Sequence, residues 1–177
     1  GRIVRQNMLV IPEHVSFQDA AMVEPLACVL RGIQETGIQP GDTTVVIGCG
    51  PIGLKFIRVL ANRGVKVIAL GKRPNQIRAA ESFGARAALI ATDLSDPAQA
   101  VRQLTEGGRG ADSVVEAVGT AQTWEWALQM VRRGGTVNLF VRDNAPLYLG
   151  ALRPEAVAQT EVGYFKLALS IINLVML

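Results

Sequence analysis

The 177-residue chain, 49% apolar and 19% charged, is long enough for one ordinary domain with its own core and has the composition of a soluble globular protein. A net charge of +3 suits anionic small ligands and is too weak to argue for nucleic acid. Two cysteines, Cys28 and Cys49, exclude a disulfide scaffold and a four-cysteine zinc site, so a reduced, cytoplasmic setting is the expectation.

In chain order, GRIVRQNMLVIPEHV has cations and no long apolar core, so it does not read as a signal peptide. It also lacks an initiator Met, which suggests a piece of something longer. Residues Ile3 to Pro12 read as extended. Ser16 is an N-cap candidate with Asp19 in the first turn. A helical segment follows, and Pro25 should bend or break it. Gly37 and the Gln39-Pro40-Gly41-Asp42 stretch mark a turn.

The pattern then alternates. Thr43 to Ile47 is β-branched and continuous, as in a strand buried on both faces. Leu54, Ile57, Leu60 and Ala61 share a helical face that ends at Gly64. Val65 to Leu70 reads as a second strand. Ile77, Ala80 and Phe83 mark a second helix, and Ala87 to Ala91 a third strand. Asp96 to Leu104 predicts a third helix, Ser113 to Val118 a fourth strand, Thr120 to Val131 a fourth helix, and Thr136 to Phe140 a fifth strand. Five strands alternating with four helices predict an α/β fold, a doubly wound parallel sheet with helices on both faces.

After Phe140 the alternation stops. In the tail, Phe165, Leu169, Ile172 and Met176 share one helical face, which predicts a packing helix. The apolar run Leu167 to Leu177 falls short of the roughly 20 residues that span a membrane.

Gly48-Cys49-Gly50-Pro51-Ile52-Gly53 is a G-x-G-x-x-G loop between a buried strand and an amphipathic helix, the context that gives this short pattern meaning. Gly48 permits the tight turn, Gly50 lets backbone approach a pyrophosphate, and Gly53 lets the helix pack close. Free N–H groups at the helix start favour phosphate. Pro51 in the first turn costs no hydrogen bond. Cys49, at a variable loop position, reads as a loop residue rather than a nucleophile.

The end of the second strand adjoins the adenosine ribose in this fold, and a carboxylate there favours NAD. Gly71 stands there instead, followed by Lys72 and Arg73. A small residue with two cations accommodates a 2′-phosphate, so NADP is expected over NAD. The missing acid also counts against an S-adenosylmethionine-dependent methyltransferase.

Several stretches together resemble the zinc-containing medium-chain alcohol dehydrogenase family, in its sorbitol and threonine dehydrogenase branch. They are Val23-Glu24-Pro25-Leu26, PGDTTVVIGCGPIG, ESFGA, GADSVVEAVG and GGTVNLF, over about residues 3 to 140. The resemblance implies a Rossmann domain for the nicotinamide cofactor, preceded in the family by a GroES-like catalytic domain with a catalytic zinc. It implies reversible hydride transfer between an alcohol or polyol and a ketone or aldehyde. Residues 1–40 then correspond to a remnant of the catalytic domain with a connecting helix, 41–141 to the Rossmann domain, and 142–177 to an atypical tail.

The same resemblance makes Glu24 a residue of the zinc neighbourhood, and it sets Val118, Gly119, Leu139 and Phe140 beside the cofactor's ribose and nicotinamide. Gly71-Lys72-Arg73 is similar to NADP-dependent members. Cys28 reads as a core residue and His14 as structural. The family's remaining zinc ligands have no counterpart in the chain, so zinc is expected only in a complete enzyme and the isolated chain is expected to be inactive. Alternative readings are a non-enzymatic dinucleotide-binding module that self-associates through its apolar tail, and a zinc-free quinone reductase relative, against which Glu24 speaks.

Overall fold

A computed structural model describes residues 10–140 and 166–168. Ser16 caps the short helix α1 (Phe17–Ala20) by accepting the Asp19 N–H, at 3.1 Å. Helix α2 (Val23–Thr36) starts afresh after Met22. Pro25 therefore does not break a helix. It sits in the first turn of α2, where its missing N–H has no intrahelical acceptor, and the break precedes it at 21–22. Gly37, at φ 73°, closes α2 by donating to the Ile33 and Gln34 carbonyls.

The alternation that follows is β1 (Thr43–Ile47), α3 (Pro51–Asn62), β2 (Lys66–Gly71), α4 (Pro74–Ser82), β3 (Ala87–Ile90), α5 (Pro97–Gln103), β4 (Ala111–Glu116), α6 (Ala121–Met130) and β5 (Val131–Leu139). A sixth strand, β6 (Lys166–Ala168), pairs with β5 through Thr136↔Lys166 and Asn138↔Ala168. The sheet is wholly parallel in the order β3-β2-β1-β4-β5-β6. This is the doubly wound, Rossmann-type order, and it reverses direction between β1 and β4.

Three expectations are corrected here. The tail helix fails at 166–168, where backbone pairing to β5 overrides the helical spacing of the side chains; its other positions lie outside the described residues, as do residues 1–9. The fourth strand ends at Glu116, so Val118 is in a loop. The fifth strand begins at Val131, directly after α6, and its register slips between Ala111↔Val131 and Ser113↔Thr136 to absorb Arg132-Arg133-Gly134-Gly135.

The central strands β1, β2 and β4 bury both faces, as strands covered by helices on either side do. On one face Val45, Ile47, Leu70, Val114 and Val137 pack with Val101 of α5 and Trp124 and Met130 of α6. On the other, Val46, Val67, Ala69 and Val115 pack with Val29 and Ile33 of α2, Phe56, Ile57 and Leu60 of α3, and Ala80 of α4. Asn138 fastens α2 to the second face by donating to the Gly32 carbonyl at 3.0 Å and the Thr36 hydroxyl at 2.6 Å. All strand ends thus point one way, and the loops after β1, β2 and β4 gather at the reversal point.

Candidate functional site at the carboxyl edge of the sheet

Each of the three loop glycines has a different physical reason. Gly48 turns the chain at φ 100° while its N–H donates to the Leu70 carbonyl at 2.8 Å. A Cβ there would lie 2.7 Å from Val118 Cγ2. At Gly53 a Cβ would lie 1.7 Å from the Gly48 carbonyl oxygen, so α3 reaches its position only without one. Gly50 is the exception. Its φ of −83° and ψ of −175° suit any residue, and a Cβ there meets nothing within 4 Å. Nothing within the described residues requires glycine at that position.

No side chain caps α3, whereas Ser16, Asp96 and Thr120 cap α1, α5 and α6. The first-turn N–H groups of α3 therefore face the loop without a protein acceptor from the cap residue, beside the positive end of the helix dipole. Pro51 occupies the first helical position, as expected. Ile52 is half-buried, packed against the α2–α3 core. Cys49 is buried, and burial pushes its thiol up to about 11, which keeps it protonated at neutral pH and removes it as a nucleophile.

At the end of β2, Gly71 is buried. A Cβ there would approach Ile77 Cδ1 at 3.0 Å, Cys49 Sγ at 3.3 Å and Gln76 Cβ at 3.4 Å. Packing thus favours a small residue here, apart from any ligand. Lys72 and Arg73 are exposed. Gln76 fixes their backbone, since its Oε1 accepts both the Lys72 N–H (3.0 Å) and the Arg73 N–H (3.2 Å). Sequence reasoning missed Gln76, although a polar residue three positions into a Pro-led helix is a usable capping signal.

The loop after β4 is organised by a residue that the sequence reading quoted but did not single out. Glu116 is fully buried, and its Oε1 accepts the Val118 N–H at 2.7 Å and the Gly119 N–H at 2.9 Å. Its Oε2 accepts the Trp124 indole N–H at 3.0 Å. Burial raises its pKa despite these donors. Gly119 needs its φ of 86°. Leu139 and Phe140 end the neighbouring strand, where the Phe140 N–H donates to the Glu116 carbonyl at 2.9 Å. Their side chains point into the two cores, with Phe140 edge-on to Phe56 at 4.9 Å, so only their backbone is available to the crevice.

Glu24 is exposed in the first turn of α2, where it accepts a hydrogen bond from the Cys28 thiol at 3.1 Å. Desolvation and then Glu24 raise the Cys28 pKa. His14 is exposed in the turn where Val15 N–H meets the Pro12 carbonyl. No three His, Cys, Asp or Glu side chains group to hold a metal among the described residues, so these residues do not fit a closed zinc site. No helix among them is long and apolar enough to cross a membrane.

A doubly wound sheet with a glycine loop at its reversal point defines a dinucleotide-type α/β domain. Residues 51–146 match the family described as "Zinc-binding dehydrogenase", and the chain belongs to that family. It is 30% identical over 165 residues to D-arabitol-phosphate dehydrogenase of Enterococcus avium, covering 90% of this chain and 45% of that protein. It is 38% identical over 136 residues to sorbitol dehydrogenase of Halalkalibacterium halodurans, covering 75% of this chain and 39% of that protein. A zinc-binding-dehydrogenase-type structure from Sinorhizobium meliloti 1021, bound to NADP, superposes with TM-score 0.69 at 30% identity, covering 77% of this chain and 40% of that one. The chain thus spans less than half the length of these relatives.

Proposed function

We propose that this chain is the NADP(H)-binding domain of a zinc-dependent medium-chain dehydrogenase that acts on an alcohol or polyol. Gly50 carries the reading: its lack of a side chain has no use among the described residues, since a Cβ there would meet open space, and an approaching pyrophosphate would require that lack. The α3 amides would hold the phosphates, with Gly48 and Gly53 setting the loop. Gly71 leaves room at the ribose, and Lys72 and Arg73 would neutralise a 2′-phosphate. Val118 and Gly119, with the backbone of Leu139 and Phe140, would line the nicotinamide end. The bound nicotinamide would supply the hydride acceptor or donor.

The relatives' names support a polyol-class substrate, and the NADP-bound neighbour supports the dinucleotide. Residues 1–40 belong with a catalytic domain in this reading. Phe17, Met22, Val23, Leu26 and Leu30 are exposed along α1 and α2, which suits a surface covered by that domain. Glu24 would stand at the edge of its zinc site, whose other ligands have no counterpart in this chain. The isolated chain should accordingly bind cofactor and show no dehydrogenase turnover. A cytoplasmic setting goes with this activity.

Calorimetric titration with NADPH and NADH, on wild type and Arg73→Ala, tests the cofactor. NADPH should bind more tightly, and R73A should erase most of the difference. Equal wild-type affinities would sink the NADP preference. Robust zinc-dependent turnover by the chain alone would sink the division of labour.

A further inference from the structure

Glu116 is the one fully buried carboxylate among the described residues, and the reading above gives it no task. A charge-bearing group inside a sheet is costly unless its hydrogen bonds are satisfied. Here they are satisfied by neutral donors, two of them backbone amides of the loop that follows β4. The others come from the Thr123 side chain and from the indole of Trp124, which is 1% exposed and immobilised in the core under α6. One rigid wall of the core is thereby tied, through a single carboxylate, to a loop at the mouth of the crevice.

The geometry continues outward. The Ala117 N–H donates to the Ile47 carbonyl at 2.9 Å, which sets the loop level with the end of β1. Glu116 then draws in the next two amides. Val118, held by its own N–H and 44% exposed, places Cγ2 2.7 Å from where a Cβ of Gly48 would lie, and the Ala117 carbonyl stands 3.2 Å from the same point. The Val118 side chain is therefore the wall against which the first turn of the glycine loop rests.

We propose that Glu116 is a positioning residue for the dinucleotide site: it touches no ligand, and it holds the Val118–Gly119 loop so that Val118 walls the glycine loop at Gly48. The proposal rests on reading that site as a dinucleotide site. Its logic is that of a support behind a binding surface, where a loosened loop misplaces the contacts in front of it. Glutamine keeps the shape of the side chain and breaks the pattern. Its carbonyl can serve either the loop amides or the indole, and its NH2 then confronts a donor on the other side.

The test is NADPH titration of the whole chain at fixed salt, on wild type, E116Q, V118A and the double variant, with amide exchange followed at Val118 and Gly119. E116Q should weaken NADPH about tenfold and V118A by a comparable factor. The double variant should be little worse than either, because both changes act through one contact. Exchange at the two loop amides should quicken in E116Q while the Val114 and Val115 amides stay protected. Wild-type affinity in E116Q, or losses that multiply in the double variant, would overturn the proposal. If E116Q fails to fold, V118A decides, since undiminished NADPH binding there removes the contact through which Glu116 acts. A wild type that binds neither NADPH nor NADH would defeat the dinucleotide reading itself, an outcome distinct from wild-type binding that E116Q leaves intact.

Discussion

The two ends of β4 carry two carboxylates in opposite settings. At the amino edge of the sheet, Asp112 accepts the Thr43 N–H (2.8 Å), Arg132 Nε (2.6 Å) and Arg109 Nη2 (3.1 Å). Desolvation pushes its pKa up, and those donors and cations more than reverse it, leaving it lowered. At the carboxyl edge, Glu116 meets amides, the Thr123 side chain and an indole, and burial leaves its pKa raised. The amino edge closes on itself, with its charge balanced by side chains of the same chain. The carboxyl edge keeps Lys72 and Arg73 exposed, leaves α3 without a side-chain cap, and holds a half-buried glycine that packing does not explain. The lesson is that a binding edge shows itself by the groups its own fold leaves unmatched.

The strongest way to break this contrast is Gly53→Ala. A Cβ 1.7 Å from a backbone carbonyl forces α3 off the sheet, so the cost should exceed about 4 kcal/mol and the cooperative urea transition should vanish. A variant as stable as wild type would show that the loop is not tightly packed. Asp112→Asn comes next. It should cost about 1–3 kcal/mol in urea denaturation while leaving NADPH affinity unchanged, because the amino edge serves the fold alone. Gly50→Ala should do the reverse. Its stability should move by less than about 1 kcal/mol, and NADPH affinity should fall at least about tenfold.

The pH dependence sharpens the same comparison, with opposite signs at the two edges. Asp112, lowered in the folded state, adds stability above its ordinary value of 3.8 that is lost as pH falls through its folded value. Glu116, raised, binds its proton more tightly when folded. Its contribution is fullest below 4.5 and declines as pH rises through its folded value. Relative to wild type, D112N should therefore flatten the acid limb below 3.8, and E116Q the decline above 4.5. The smallest expected effect is that of Gln76→Ala, which frees the Lys72 and Arg73 amides and should lower NADPH affinity by only a few-fold, read in the same titration.

Much of this was legible in the sequence because the signals are local. The continuous β-branched run of Thr43–Ile47, the glycine loop and the Gly71-Lys72-Arg73 step each declare themselves within a few residues. What was missed depends on partners far along the chain. Strand β4 stops at Glu116 because of where the carboxylate finds its donors, which no hydrophobic pattern encodes. The slip that accommodates 132–135 follows from pairing with β4, and β6 follows from pairing with β5. A short apolar run such as that around 166–168 fits helix and strand alike by spacing, so only the neighbouring strand decides. Gly71 was read through its ligand alone, whereas Ile77, Gln76 and Cys49 also crowd that position.

The central claim is that the carboxyl edge takes a phosphorylated dinucleotide. Parallel calorimetric titrations of the wild-type chain with NADPH and NADH, repeated at two salt concentrations, test it most directly. NADPH should bind at least about tenfold more tightly than NADH at low salt, with the gap narrowing as salt screens the exposed Lys72 and Arg73. Equal affinities at both salt concentrations, or tighter NADH, would contradict it.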